Sequence, residues 1–315
     1  MDSKTPDFQF FDRKIHSVNQ IIDPQICKGS ITNLSIKRED QIHPFISGNK
    51  FRKLKYVIKD AVLSGKDALL TYGGAYSNHI TAVAEAGRHC HFKTIGVIRG
   101  EEVEARIEGN PTLRYALSCG MTLKFVSRAQ YKNKHSTNAL KALKEEFGEF
   151  YEIPEGGTNH LAVKGCEEIL LAEDSDYDHI CVSVGTGGTL AGIVNASKPY
   201  QKVIGFSALK GDFLTSEVKK YTAKNNFEIT DSFSFGGYAK IDRELIRFIN
   251  NFKTKTKIQL DPIYTGKMMF GIFELFKQGY FEENSRILAI HTGGIQGIEG
   301  MNQKLNKLKL PQIIT

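Results

Sequence analysis

The stretch HICVSVGTGGTLAGIVNAS, residues 179–197, decides the fold class. Ile180 to Val184 form a short, β-branched apolar run, too brief for a helix and suited to a buried strand. Gly185 to Gly188 make the turn, and an apolar helical pattern starts at Thr189. The same build recurs outward along the chain. DALLTYGGAYSNHITAVAEAG (67–87) gives a strand around Ala68 to Thr71, a turn at Gly73-Gly74 and a helix opened by Ser77-Asn78. RILAIHTGGIQG (286–297) repeats strand and double glycine, and KTIGVIRG, TLKFV and KVIGFSA supply further strands. Helices are expected over 137–147, 162–173, 241–252 and 266–278. Strands alternating with helices predict an α/β chain with mainly parallel sheet, whose ligands gather beyond the C-terminal strand ends where these glycine turns lie.

With 315 residues the chain can bury a large core and is expected to form two domains or lobes. The beginning, MDSKTPDFQFF, has no leader pattern, and no apolar run approaches the ~20 residues of a membrane span. Five unpatterned cysteines (Cys27, Cys90, Cys119, Cys166, Cys181) fit free thiols in a reducing compartment. A soluble cytoplasmic protein is therefore expected. The net charge of +7 is scattered, without aromatic interleaving, so nucleic acid is not the expected partner. KLNKLKL (304–310) reads as a solvated helix face or tail. HCH at 89–91 does not read as a metal site, because successive side chains diverge and no spaced His/Cys pair follows.

Three loops carry possible chemistry. GTGGT (185–189) lets the backbone approach an anion at a helix start, where N–H groups converge. Leu190 stands where a dinucleotide fingerprint needs glycine, and no Gly-Lys-Ser/Thr ending follows, so a monophosphate fits better than a nucleotide. A tight strand-to-helix turn without ligand explains the same residues. GGAYSNH (73–79) could receive a carboxylate through helix N–H groups and the Ser77 hydroxyl, or Ser77 and Asn78 could simply cap the helix. DPIYTGK (261–267) puts Tyr264 in a turn, where tyrosines commonly just pack.

SGNKFRKLKY (47–56) adds the reactive group. Asn49 is a suitable N-cap for an amphipathic helix stopped by Gly65, which crowds Lys50, Arg52 and Lys53 into the first turn. Cations at a helix N-terminus are disfavoured by ~0.3–1 kcal/mol each. Lys50 should therefore lose its proton easily, as imine formation with a carbonyl requires. A deprotonating lysine, a monophosphate loop, a carboxylate loop and loop tyrosines together suggest pyridoxal phosphate acting on an amino acid.

KREDQIHPFISGNKFRKLKY, GGAYSNH, VGTGGT, DPIYTGK and HTGG, in that order, resemble the 1-aminocyclopropane-1-carboxylate (ACC) deaminase/D-cysteine desulfhydrase family over about residues 35–295. These are fold-type II pyridoxal-phosphate enzymes, relatives of tryptophan synthase β chains. The resemblance implies two α/β domains with mainly parallel sheets, a large one of residues 1–57 plus 151–315 and a small one of 58–150, with the cofactor between them. It implies that Lys50 carries the cofactor and moves protons at Cα. Lys53, Gly185, Thr186, Gly187, Gly188 and Thr189 would hold the phosphate, and Asn78 the ring oxygen. Tyr264 and Tyr238 would flank ring and substrate, and Thr265 and Thr292 would lie beside the ring nitrogen. Asn49, Ser77, Asn78, His79 and Tyr238 would meet the substrate, with Ser77 on its carboxylate. It implies no metal and a homodimer.

Within the family, Thr265 and Thr292 resemble D-cysteine desulfhydrases, because deaminases carry Glu and Leu at these places. The expected reaction is α,β-elimination from D-cysteine or a related small D-amino acid. The alternatives are ring opening of ACC, a hydrolytic deamination, and another amino-acid lyase or racemase. Ser47 stands where the family usually has Gly, and Tyr76 where Gln is common; both border the substrate end.

Overall fold

The computed structural model describes residues 5–27 and 33–315. Residues 1–4, the start of the stretch read for a leader, and the Cys27 side chain lie outside the described parts. Ten strands appear among the described residues: β1 (Asn19–Ile21), β2 (Leu34–Lys37), β3 (Ala68–Gly73), β4 (Lys93–Arg99), β5 (Met121–Val126), β6 (Tyr151–Ile153), β7 (His179–Val184), β8 (Lys202–Ser207), β9 (Phe227–Thr230) and β10 (Ile287–Ile290). They form two sheets, β1-β2-β10-β7-β8-β9 and β5-β4-β3-β6. Every pairing is parallel except the edge pair β1–β2.

Strands buried on both faces read as continuous apolar runs, and β3, β7, β8 and β10 do so. Helices supply the covering faces. Leu245, Ile246, Ile249 and Phe252 of the helix Arg243–Thr256 and Met268, Met269 and Ile272 of Thr265–Lys277 pack on one side of the larger sheet. Leu190, Ile193 and Val194 of Gly188–Ala196 join the core on its other side. The smaller sheet takes β6 from beyond position 150. Among the described residues no helix is long and apolar enough to cross a membrane. Cys90, Cys166 and Cys181 are buried free thiols and Cys119 is a half-buried one.

Two expectations change. The helix expected over 162–173 is His160–Glu167, followed by a separate 3-10 turn, Ala172–Asp176. The break comes from the buried Asp174 carboxylate, which accepts from Leu171 N (2.7 Å), Asn19 Nδ2 (2.7 Å) and Lys37 Nζ (2.8 Å). Asn49 does not cap its helix. Gly48 holds that place at φ +55°, and Asn49 is the first helical residue.

The topology places the loops. β7 and β10 are parallel neighbours, so their C-terminal extensions, Gly185–Thr189 and His291–Gly294, emerge side by side. β3 and β6 do the same in the smaller sheet, bringing Gly74–His79 next to Pro154–Thr158. The helix Asn49–Leu63 packs against His160–Glu167, with the Gly165 Cα so close that a Cβ there would lie 1.9 Å from Arg52 O.

Candidate active site

These loops and the start of the 49–63 helix enclose a cavity of about 770 Å³. Its floor is fixed by Gly48. A Cβ on that residue would lie 2.0 Å from Thr292 O, so only glycine lets the Lys50 segment reach the β10 loop. Asn49 N donates to Thr292 O (3.4 Å), and Asn49 Nδ2, freed from capping, donates to Thr189 Oγ1 (2.8 Å). Asn49 thus ties three chain segments together at the cavity.

Among the described residues Lys50 Nζ donates only a long bond to Asn49 Oδ1 (3.4 Å) and has no ion-pair partner. Loss of hydration, then the neighbouring Lys53 charge, pulls its pKa from 10.5 down to about 7. Its rate of imine formation with an added aldehyde should therefore level off just above pH 7. Stopped-flow absorbance across pH 6–10 checks this, and a rate still climbing through pH 9 would show an ordinary lysine.

The crowding of cations at this helix start resolves into separate jobs. Arg52 is buried and bidentate with Glu39 (2.8 and 2.9 Å), which makes it a structural residue. Lys53, whose pKa is lowered by burial, donates to Gly156 O and Thr158 Oγ1 (both 2.9 Å) and reaches Thr186 Oγ1 at 3.5 Å. It therefore sits against the glycine loop it was expected to assist. In that loop Gly187, at φ +84°, stands at the N-cap of the helix Gly188–Ala196. Gly188 does not line the cavity, because its missing Cβ makes room for Thr158 (2.7 Å). Gly185, Thr186, Gly187 and Thr189 do line it.

Ser77 caps the helix Asn78–Cys90 by accepting from Ile80 N at 3.4 Å, and it also faces the cavity with Asn78. Capping and an open helix N-terminus are thus compatible here. His79 is buried. Thr71 Oγ1 donates to Ile153 O, so it can only accept from His79 Nε2 (2.9 Å). Nδ1 has no close hydrogen-bond partner among the described residues and faces the Pro154 backbone. Burial, with Lys50 and Lys53 nearby, holds the ring neutral. Tyr264 and Tyr238 meet edge to face, ring centroids 6.3 Å apart, and their hydroxyls are hydrogen-bond partners.

A second expected site residue also lies away from the cavity wall. Thr265 is fully buried and does not line the cavity. Its hydroxyl donates to Asp261 Oδ2 (2.6 Å), inside a turn where the same carboxylate accepts from the backbone N–H groups of Ile263, Tyr264 and Thr265. Thr292 does line the cavity, 3.2 Å from the Ser183 hydroxyl, and Ser183 was not anticipated. Among the described residues no carboxylate lines this part of the cavity, and Glu155, near Lys53, is the one acid in its wall.

Several further lining residues escaped sequence reading. Glu155 and Gly156 follow β6, a strand of only three residues, and the signal would have been the double glycine of PEGGT. Lys304 and Lys307, read as a solvated face, stand at the mouth with Arg99 and Arg128. Ser47 Oγ accepts from Gly294 N (3.3 Å), and Tyr76 covers Gly300, whose Cβ would lie 2.4 Å from the ring. At 89–91, His91 turns toward Asp7 and His89 stacks on Phe10 and meets Glu85. His43, Glu85 and His89 come together, but Arg88 already donates to both Glu85 oxygens.

The donor set suits a phosphate-bearing aldehyde: a neutralisable amine and a glycine loop with a lysine beside it line one cavity. Comparison with known proteins agrees. The profile of the family described as "Pyridoxal-phosphate dependent enzyme" matches residues 24–293. The bifunctional D-cysteine desulfhydrase/1-aminocyclopropane-1-carboxylate deaminase, mitochondrial, of Arabidopsis thaliana is 32% identical over 298 residues, 85% of this chain and 73% of its own length. The 1-aminocyclopropane-1-carboxylate deaminase of Bradyrhizobium sp. strain BTAi1 is 28% identical over 81% of this chain and 84% of its own. The crystal structure of an ACC deaminase homologue superposes with a TM-score of 0.79 at 28% identity, covering 97% of both chains.

Proposed function

The chain belongs to the pyridoxal-phosphate dependent enzymes, and from that membership we propose that it is a lyase that eliminates sulfide from D-cysteine or a closely related small D-amino acid. The observation that carries the reading is Lys50, an amine poised near neutrality in one cavity with the Lys53-backed glycine loop and the Ser77 helix start. Bound pyridoxal phosphate supplies an aldehyde for the amino group and a ring that draws electrons from the bonds at Cα. Lys50 would carry that group covalently. Lys53, the hydroxyls of Thr186 and Thr189 and the N–H groups of the 185–189 loop would receive its phosphate. Asn78 would meet the ring oxygen, and Tyr264 the ring face.

Ser77 and the N–H groups of the Asn78–Cys90 helix would hold the substrate carboxylate, with Asn49, His79 and Tyr238 closing the pocket. Holding the carboxylate fixes which bond at Cα stands across the ring. Lys50, whose pKa lies near neutrality, would take the Cα proton. Sulfide would leave Cβ with the electron pair of the Cβ–S bond, and water would replace the substrate's amino nitrogen to give pyruvate and ammonia.

The branch within the family rests on Thr265, buried as it is, and Thr292, the places where its deaminases carry Glu and Leu. Neutral hydroxyls at these places would leave the cofactor's ring nitrogen largely unprotonated, which would suffice when sulfur is the leaving group. A carboxylate there would suit the harder opening of a carbon ring. ACC deamination is the second reading, favoured by the names of the Bradyrhizobium and Arabidopsis relatives. A panel of D- and L-amino acids assayed for pyruvate and sulfide separates the two. Sulfide and pyruvate from D-cysteine are expected, with little 2-oxobutanoate from ACC; the reverse pattern overturns the assignment.

Ser77→Ala should weaken turnover far more than cofactor retention, by ~1.5–3 kcal/mol of transition-state binding, the range for hydrogen bonds to charged groups. Titration of cofactor content beside kcat/KM checks this, and equal losses would mark Ser77 as a cap alone. We further propose that the cofactor lies between the smaller-sheet unit, expected over 58–150 and extended by β6, and the rest of the chain, and that the protein is a cytoplasmic homodimer. Light scattering tests the last point.

A further inference from the structure

Lys267, the last residue of DPIYTGK, has no role in the reaction above, yet its environment is unusual. It is 2% exposed, in the first turn of the helix Thr265–Lys277. Among the described residues its ammonium has no ion-pair partner; Nζ donates instead to two backbone carbonyls, Ser234 O (2.7 Å) and Gly237 O (2.8 Å). A buried cation without a carboxylate contact is costly, and an apolar side chain of the same length would fill the space more cheaply.

The loop it grips is itself strained. Phe235 and Ala239 sit at φ +53° and +54°, in the left-handed region side chains disfavour, and Gly236 and Gly237 lie at +92° and +112°. Such a loop holds its shape only when its surroundings impose it. The residue after the second gripped carbonyl is Tyr238, which lines the cavity and meets Tyr264. Tyr264 stands at the N-cap of Lys267's own helix. One helix start therefore presents one tyrosine directly and holds the loop that presents the other. On the far side Lys304 Nζ donates to Ala239 O (2.9 Å).

We propose that Lys267 is a positioning residue: its ammonium clamps Ser234 O and Gly237 O so that Tyr238 is fixed against Tyr264 over the amino-acid end of the cavity. The catalytic consequence rests on the proposed function, which places Tyr238 at the substrate; the clamp itself does not.

The test uses the cofactor-loaded full chain. Lys267→Met keeps length and bulk but removes the donors, and Lys267→Arg restores them. Lys267→Met should speed amide hydrogen exchange in peptides covering 234–240 and raise KM for the amino acid roughly tenfold to a hundredfold, the scale of a misplaced binding group. Cofactor content should hold. Lys267→Arg should recover part of both effects, and Lys267→Met should add little to Tyr238→Ala in a double-mutant cycle. If Lys267→Met does not fold, Lys267→Gln, with one amide donor for two carbonyls, carries the same comparison. Unchanged exchange over 234–240, or losses that add to those of Tyr238→Ala, would overturn the proposal. Should the wild type release no pyruvate from any amino acid, the exchange measurement still decides the clamp by itself.

Discussion

Lys50→Ala is expected to fold normally and to lose turnover by roughly 10⁴-fold or more, the upper range for a single proton-transferring group. Folding should survive because Lys50 makes no ion pair among the described residues, and alanine is a strong helix former for its place in the helix. Activity should not, because no neighbour can stand in. Among the described residues Lys53 is the other amine beside Lys50, and its Nζ is committed to Gly156 O and Thr158 Oγ1. The measurement is turnover alongside circular dichroism. Activity within tenfold of wild type would remove Lys50 from the reaction.

Gly48→Ala should be the most damaging substitution that touches no reactive group. The backbone at φ +55°, ψ −129° is open in practice to glycine alone, and strain of this kind costs of order 1–3 kcal/mol. The clash adds to it, since the new Cβ would overlap Thr292 O at 2.0 Å and Thr292 C at 2.2 Å, backbone atoms that cannot rotate away. Either the β10 loop withdraws or the Asn49–Lys50 segment does, and both movements open the cavity floor. A large fall in melting temperature together with loss of bound cofactor is expected. A variant with wild-type melting temperature and cofactor content would mean that this contact does not shape the site.

Much of the architecture was legible because the central parallel strands are buried on both faces, so β3, β7 and β10 announce themselves as apolar runs closed by double glycines. Lys50 was legible for a different reason, a local conflict between charge and helix dipole. Contacts between distant segments were not. Ser47 and Gly294 are bonded across 247 positions, and nothing near either residue signals the other. The role of Asn49 was misjudged because capping is a local rule, overridden here by Gly48 and by the tie to Thr189. Thr265 was misplaced for a similar reason. Sequence puts it beside Tyr264, but the Asp261 turn rotates its hydroxyl inward to a carboxylate. Thr158 and its PEGGT loop were missed because a three-residue strand leaves too little periodicity to read.

The central claim is that Lys50, and not one of the other amines nearby, carries pyridoxal phosphate. Reducing the loaded protein with borohydride and mapping the pyridoxyl group by peptide mass spectrometry tests it most directly. The account predicts bleaching of the visible absorbance and a single label on Lys50. A label on Lys53, Lys267 or any other lysine, with Lys50 unmodified, would contradict it.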